Sequence, residues 1–170
     1  YFNINVSKPF KVEAKHEHEV ELSFKTDEFR PVEVRIALSP ISAEAAKMEN
    51  EKIKDITFDQ AKKQAADAWE NILSRVEVKK GDETDRILFY TSLYRVFLSP
   101  ANVTSSDGKF LATDGKVYPK EDFTYYSCWS IWDTYRTKFP LITLLDPKSM
   151  RDFANSLCNL YVYGKKDWAT

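Results

Sequence analysis

The stretch Ser127-Cys-Trp-Ser-Ile-Trp-Asp-Thr-Tyr-Arg136 brings two indole rings, a carboxylate and a guanidinium together at the predicted junction of a loop and a helix. A carboxylate at a helix start is held ionised by the helix dipole and accepts hydrogen bonds from vicinal hydroxyls. Indole faces stack on the C–H faces of a pyranose ring. The stretch therefore indicates a sugar subsite around Asp133. The alternative is that Asp133 caps the helix while Trp129 and Trp132 fill a core.

Two helices are predicted upstream of this stretch. Thr57-Phe-Asp-Gln60 has the pattern of a capping box and opens an amphipathic helix. Its apolar stripe consists of Phe58, Ala61, Ala65, Ala68, Trp69, Ile72, Leu73 and Val76. The second helix, over about residues 84–98, is apolar nearly all round, so we expect it to be buried on most sides, and Pro100 ends it.

The first forty residues alternate between apolar and polar side chains, which predicts four short antiparallel strands. The polar partners are expected to face water, as in a sheet that is covered on one side. They are Asn3, Asn5, Lys11, Glu13, Glu19, Glu21, Glu33 and Arg35. Strands followed by helices indicate a β domain leading into an α domain, with a boundary near Ile53 and the edge of a β-sandwich as the setting of the strands.

The segment between Pro100 and Ser127 is long and contains two turn signals, Asp107-Gly108 and Asp114-Gly115, around a short strand at Lys109-Phe-Leu111. Its aromatic residues indicate an ordered segment. These are Tyr118, Phe123, Tyr125 and Tyr126. Downstream, a helix is predicted after Asp133, with Pro140 bending it or ending its first part, and another opens at Asp146-Pro147.

Composition narrows the range of partners. The formal charge is -1 and the pI is about 6.2, so the chain has no basic footprint for nucleic acid. No apolar run is long enough for a transmembrane segment. The 4 Trp, 9 Tyr and 11 Phe suit either a large core or a site that stacks on sugars. Cys128 and Cys158 have no zinc or disulfide spacing, and we expect two buried free thiols.

Two further groups contain residue types that bind metals. His16-Glu-His18 lies in a turn rich in Lys and Glu without a third ligand nearby, so a solvated pair is the better interpretation. The carboxylates of Asp107, Asp114, Glu121 and Asp122 match no calcium-loop spacing. Turn chemistry accounts for the aspartates beside the glycines.

Three segments in order resemble the opening of the catalytic domain of glycoside hydrolase family 92. They are Phe89-Tyr-Thr-Ser-Leu-Tyr-Arg-Val-Phe-Leu-Ser-Pro100, Ser130-Ile-Trp-Asp-Thr-Tyr-Arg136 and Pro140-Leu-Ile-Thr-Leu144. The upstream helix matches as well, in Phe58-Asp, Ala65, Trp69 and Leu73. The resemblance implies an internal fragment with three parts. Residues 1–52 end an N-terminal β-sandwich, residues 53–80 form a linker helix, and residues 81–170 begin an incomplete (α/α)6 barrel.

The same resemblance implies an activity and the roles of individual residues. Members of the family are calcium-dependent, exo-acting, inverting α-mannosidases, so the implied substrates are mannose-containing glycans with terminal α-1,2-linked mannose. Trp132 and Asp133 would lie in the subsite for the terminal mannose, and Arg136 would brace Asp133 or a neighbouring helix. Cys128 stands where the family suggests a small or β-branched residue, and Trp129 where it suggests a Phe-like or Ser-like one.

Catalytic and calcium-binding residues are expected outside this chain. Inverting hydrolysis needs a general acid and a carboxylate base across the ring, and the family's motifs for both, a Glu-Gly and a Gly-Asn-Asp-Asp segment, are missing here. The chain therefore needs the remaining part of the catalytic domain. A periplasmic, cell-surface or secreted protein is implied. Two alternatives stay open: a non-catalytic carbohydrate-binding relative, and another (α/α)6 hydrolase that acts on glucosides.

Overall fold

The computed structural model describes residues 1–16, 19–25 and 31–164. The chain divides into two compact units, Tyr1–Phe58 and Asp59–Thr170, which are described separately. Strands precede helices along the chain, as the sequence predicts.

The first unit contains the four predicted strands and one helix. They are β1 (Phe2–Val6), β2 (Phe10–Lys15), β3 (Val20–Phe24), β4 (Val34–Leu38) and α1 (Ala43–Lys52). The strands form two antiparallel pairs, β1 with β4 and β2 with β3, the second with a bulge between Val12 and Ala14. Ser42 caps α1, because its side chain accepts a hydrogen bond from the Ala45 N–H.

Helix α1 covers part of the polar face of the β1–β4 pair, which corrects the prediction that Asn3 and Arg35 face water. The predicted exposure is confirmed for Asn5, Lys11, Glu13, Glu19 and Glu21. Asn50 is almost completely buried, and its amide donates to the Asn3 Oδ1 at 2.9 Å. The Arg35 guanidinium donates to the carbonyls of Lys54 and Ile56 at 2.6 and 3.1 Å. These hydrogen bonds offset the cost of burying the Asn50 amide nitrogen and the Arg35 guanidinium, whereas the buried Asn50 Oδ1 has no hydrogen-bond partner among the described residues. The exposed face carries the apolar residues Phe2, Ile4, Ile36 and Leu38.

The second unit opens with two helices, α2 (Phe58–Leu73) and α3 (Glu83–Phe97). Trp69 of α2 packs on Tyr94, with ring centroids 4.3 Å apart, and the Tyr90 hydroxyl donates to the Val76 carbonyl at 2.9 Å. The prediction that α3 is buried on most sides is wrong for the described residues. Only Leu93 of α3 is buried there, because neighbours cover a single side of the helix. Its exposed apolar residues include Ile87, Leu88, Phe89 and Tyr94.

The segment after α3 is ordered around its own small core, as its aromatic content predicts. It contains four two-residue strands, paired as two antiparallel ladders: β5 (Ala101–Asn102) with β8 (Tyr126–Ser127), and β6 (Phe110–Leu111) with β7 (Val117–Tyr118). Gly108 and Gly115 have φ of +89° and +79°, which confirms both predicted turns. Phe110, at 1% exposure, stacks on Tyr125 with ring centroids 4.3 Å apart.

Three helices complete the described chain: α4 (Ile131–Thr134), α5 (Lys138–Leu145) and α6 (Pro147–Tyr163). The prediction of a helix after Asp133 that is bent or ended at Pro140 is wrong. Asp133 lies within the single turn of α4, and Pro140 lies in the first turn of α5, where a missing N–H loses no intrahelical hydrogen bond. Helix α6 starts as predicted, with Asp146 as its cap and Pro147 in its first turn.

The structure also bears on the two cysteines and on the search for a membrane-spanning helix. Cys128 and Cys158 are free thiols, as predicted, but both are exposed and not buried. Within residues 1–16, 19–25 and 31–164, no helix has the length and apolar character needed to cross a membrane.

Candidate functional site

Helix α6 fixes the strand that leads into the site. The Ser156 hydroxyl, which is fully buried, accepts a hydrogen bond from the Tyr126 N–H at 3.0 Å. One turn earlier on α6, the Asp152 Oδ2 accepts from the Thr124 N–H at 3.3 Å. The Tyr126 ring meets Phe153 edge to face, with centroids 4.6 Å apart. The backbone of residues 124–126, at the start of β8, is therefore held to α6 by two hydrogen bonds, and the Tyr126 ring adds an aromatic contact.

Asp152 is a structural anchor. Its side chain is 1% exposed, and an ion pair to the Lys148 ammonium at 3.3 Å compensates the charge. The Arg151 guanidinium lies 3.7 Å from the other carboxylate oxygen. The cationic partners and the Thr124 N–H offset the cost of burying this carboxylate, and removal of a partner would leave the charge uncompensated between helix and loop.

The backbone at Cys128 turns the chain between the strand and the site. Cys128 has φ of +67°, a left-handed conformation that is uncommon for a residue with a side chain. A β-branched residue, which the family resemblance suggests at this position, would be strained there. After this turn Trp129 is half-buried, with its ring centroid 6.2 Å from that of Phe153. The core interpretation is therefore correct for Trp129.

Trp132 has the opposite environment, because 84% of it is exposed in the described chain. The described residues supply no core around Trp132. An indole presented to solvent beside a carboxylate retains the face that a pyranose ring would stack on.

Asp133 is exposed, and the Ser130 hydroxyl donates to its Oδ2 at 2.8 Å. Ser130 is the N-cap residue of α4 but makes no side-chain hydrogen bond to the helix backbone. Asp133 is the third residue of the helix, so the interpretation of Asp133 as the cap is wrong. Helix α4 is a single turn, so few peptide dipoles are aligned in it.

Arg136 pairs with its neighbour Tyr135 in the described chain. The Arg136 Nε donates to the Tyr135 hydroxyl at 2.7 Å, and the guanidinium carbon lies 5.4 Å from the centroid of that ring. The hydrogen bond to Asp133 comes from Ser130, a residue that sequence reasoning missed. The signal was present, because Ser130-Ile-Trp-Asp133 has the spacing of a capping box.

The arrangement is suited to holding a sugar and not to cutting a glycosidic bond. Asp133 can accept hydrogen bonds from neighbouring hydroxyls while Trp132 offers an apolar face. Hydrolysis with inversion requires two carboxyl groups about 6.5–9.5 Å apart, across the scissile bond. The stretch 127–136 contains a single carboxylate.

Other candidate positions are explained without a ligand. Asp107 Oδ1 accepts from the Lys109 N–H at 3.1 Å, and Asp114 Oδ1 accepts from the Lys116 N–H at 3.0 Å, which confirms the turn interpretation. The Lys116 backbone hydrogen bond is the main cause that lowers the pKa of Asp114. His16 is described and exposed, whereas Glu17 and His18 lie outside the described residues.

Metal ligands do not converge in the part of the chain that the structure describes. Nowhere in residues 1–16, 19–25 and 31–164 do three His, Cys, Asp or Glu side chains come together as a metal-binding group, so these residues do not fit a calcium ion by themselves. Among the described residues, one open cavity of about 250 Å³ is lined by Thr104, Gly108, Lys120, Glu121, Asp122, Phe123, Thr124 and Lys148. Another, of about 350 Å³, is lined by Glu70, Leu73, Ser74, Val76, Glu77, Arg86 and Tyr90.

Residues 44–169 match the family model of the glycosyl hydrolase family 92 catalytic domain. The fold also matches solved structures. The GH92 family glycosyl hydrolase ccman5 is 30% identical, with a TM-score of 0.84 over 95% of this chain and 24% of its own. The family GH92 α-mannosidase BT3965 from Bacteroides thetaiotaomicron is 26% identical, with a TM-score of 0.84 over 97% of this chain and 25% of its own.

The structure of BT3965 in complex with mannoimidazole matches equally well, at 26% identity, with a TM-score of 0.83 over 97% of this chain and 24% of its own. The chain thus spans about a quarter of the length of these structures. None of the functionally curated proteins matches it at a significant level. The family match covers most of the sequence, and the chain belongs to glycosyl hydrolase family 92.

Proposed function

We propose that the full-length protein is an exo-acting, inverting α-mannosidase that releases terminal mannose from N-glycan or mannan-type glycans, with α-1,2 linkages preferred. The observation that carries this proposal is the exposure of both Trp132 and Asp133, consecutive residues of α4, in a chain of family 92. The neighbouring structure with bound mannoimidazole supports a mannose-type substrate.

In this proposal the chain supplies one wall of the subsite for the terminal mannose. Asp133 accepts hydrogen bonds from two adjacent sugar hydroxyls, because a carboxylate has about four acceptor sites and Ser130 occupies one. Trp132 stacks on the ring of the sugar. Arg136 supports the wall through Tyr135, to which its Nε donates.

The catalytic acid and base belong, in this proposal, to other parts of the full-length protein. The same holds for the calcium ion, because the described residues bring no ligand group together for it. A glycan substrate of this kind is met in the periplasm, at the cell surface or outside the cell, and we place the protein there as part of the proposal.

The proposal is tested with full-length protein and calcium, by measuring release of mannose from α-1,2-linked mannosides and of glucose from α-glucosides. We expect mannose alone to be released. The Asp133→Ala variant should lower kcat/KM by at least about a hundredfold, since two hydrogen bonds to a charged acceptor are lost.

The matched control is Asp67→Ala, which removes another exposed aspartate, paired with Lys63 on α2, and should leave the rate unchanged. Release of glucose in place of mannose would make the protein a different hydrolase. Binding of mannosides without release would identify a non-catalytic relative. An unchanged rate for Asp133→Ala would remove Asp133 from the subsite.

A further inference from the structure

We propose that Ser130 is a positioning residue, which holds the Asp133 carboxylate in the orientation that receives the sugar. The inference rests on the proposed function and deepens it, because it assigns a role to a residue that contacts Asp133 and need not contact sugar. Its basis is the 2.8 Å hydrogen bond from the Ser130 Oγ to the Asp133 Oδ2.

The use of the Ser130 hydroxyl is unusual for its position. A serine at the N-cap ordinarily accepts a hydrogen bond from a backbone N–H of the first helical turn. Ser130 makes no such bond, and its hydroxyl donates to the side chain of Asp133 instead. The helical turn therefore has no side-chain cap on its backbone, and the Ser130 hydroxyl orients the Asp133 carboxylate.

The carbonyl side of Ser130 is fixed as well. Thr134 is buried, and its hydroxyl donates to the Ser130 carbonyl at 2.8 Å. The backbone that carries the Ser130 hydroxyl is therefore tied to the end of the same turn. The carbonyl of Ser130 is held by Thr134, and its hydroxyl is bonded to Asp133. The hydroxyl can therefore select one rotamer of Asp133, an exposed side chain that would otherwise sample several.

The remaining face of the carboxylate is open in the described chain. Asp133 Oδ1 has no hydrogen bond partner among residues 1–16, 19–25 and 31–164, and the exposed indole of Trp132 is its sequence neighbour. Fixing Oδ2 through Ser130 leaves Oδ1 and a further acceptor site of Oδ2 for hydroxyls. An oriented acceptor binds without a further loss of side-chain freedom, and this favours the bound state.

The test is a double-mutant cycle on the full-length protein, with Ser130→Ala, Asp133→Ala and both together, read as kcat/KM for release of mannose. We expect Ser130→Ala to lower kcat/KM about tenfold, mainly through KM, and to have no further effect once Asp133 is absent. Ser130→Thr keeps the hydroxyl and should restore kcat/KM to within about twofold.

A matched control comes from the first unit. The Ser23 hydroxyl donates to the Glu13 carboxylate at 2.6 Å, an exposed pair of the same chemistry, and Ser23→Ala should leave kcat/KM unchanged. If Ser130→Ala does not fold, Ser130→Gly removes the hydroxyl with a residue that is favourable at an N-cap.

The outcomes separate this inference from the function on which it rests. An equal loss from Ser130→Ala with and without Asp133 would give Ser130 a role independent of the carboxylate and overturn the inference. A loss of kcat/KM in Asp133→Ala together with an unchanged kcat/KM in Ser130→Ala would also overturn the inference. That result would leave the proposed subsite intact. A neutral Asp133→Ala overturns the subsite itself.

Discussion

Trp129 and Trp132 lie three positions apart and have opposite environments. The Trp129 ring packs against Phe153 of α6, with centroids 6.2 Å apart, whereas 84% of Trp132 is exposed. Trp129 precedes α4, whereas Trp132 is the second residue of this helix. One indole thus anchors the turn, and the other is presented to solvent.

Replacement of Trp132 by alanine should weaken binding without weakening the fold. Loss of a stacking surface is worth about 0.5–1.5 kcal/mol, so we expect KM for an α-mannoside to rise about two- to tenfold. The melting temperature should stay unchanged because the side chain is exposed. Trp129→Ala is the matched variant and should cost about 2 kcal/mol of stability. Equal effects of both variants on the melting temperature would contradict the assignment of Trp129 to stability and Trp132 to binding.

Ser156→Ala should loosen the strand before the site. The variant removes the acceptor of the Tyr126 N–H and leaves that amide unpaired, at a cost of about 1–3 kcal/mol. Hydrogen exchange of the segment 124–127 should therefore quicken, and unfolding should begin at a lower temperature. The control is Ser92→Ala at an exposed position of α3, where alanine suits the helix. Unchanged exchange in Ser156→Ala would show that α6 does not hold β8.

Alkaline pH should destabilise the small aromatic core. Burial raises the pKa of Tyr125 above its ordinary value of 10.0, because the folded state favours the neutral phenol. The corresponding stability is fully present below pH 10 and is lost as the pH rises through the raised pKa. Tyr125→Phe keeps the ring that stacks on Phe110 and should make stability fall less steeply above pH 10.

The measurement for Tyr125 is the denaturation midpoint between pH 8 and about pH 11, the range in which a tyrosine with a raised pKa titrates. Tyr1→Phe, at an exposed tyrosine, is the control and should follow the unmodified protein. Profiles of Tyr125→Phe and unmodified protein that run parallel above pH 10 would count against a buried phenol.

The two turn glycines should differ in their tolerance of alanine. Both have a positive φ, so alanine at Gly115, where a Cβ meets nothing within 4 Å, should cost about 1–2 kcal/mol. At Gly108 a Cβ would lie 2.5 Å from the Cγ of Lys120, and the loss should be larger. Chemical denaturation of the two variants measures the difference. A smaller loss at Gly108 would mean that the Lys120 side chain moves aside freely.

Local signals in the sequence predicted the elements well. Period-two alternation located the four strands, and the Asp-Gly pairs located turns in which Gly108 and Gly115 take a positive φ. Asp146-Pro147 marked the start of α6. Each of these features depends on a few adjacent residues, so the sequence contains it directly.

Features that depend on distant partners were not predictable in the same way. The covered face of the β1–β4 pair is the polar one because Asn50 of α1 satisfies Asn3, a contact between residues 47 positions apart. The burial of α3 likewise depends on what packs against it. Periodicity reports which face is apolar and does not report which face has a neighbour.

The candidate site was predictable in part. The stretch 127–136 pointed to Trp132 and Asp133 because aromatic and acidic residues cluster there. The partner of Asp133 was missed, since Ser130 had an ordinary role available as a helix cap. The packing of Trp129 depends on Phe153, a residue of α6 much further along the chain, and the local sequence does not show that contact.

The hydrogen bond from Tyr126 to Ser156 joins residues 30 positions apart and also has a consequence for biosynthesis. A ribosome adds roughly 5–20 residues per second, so the strand before the site leaves the ribosome seconds before the helix that fixes it. During that interval Trp129 lacks Phe153, the ring on which it packs. The turn that carries Trp132 and Asp133 therefore becomes rigid only after α6 has been made and has docked, so residues outside the turn set the time at which its conformation is fixed.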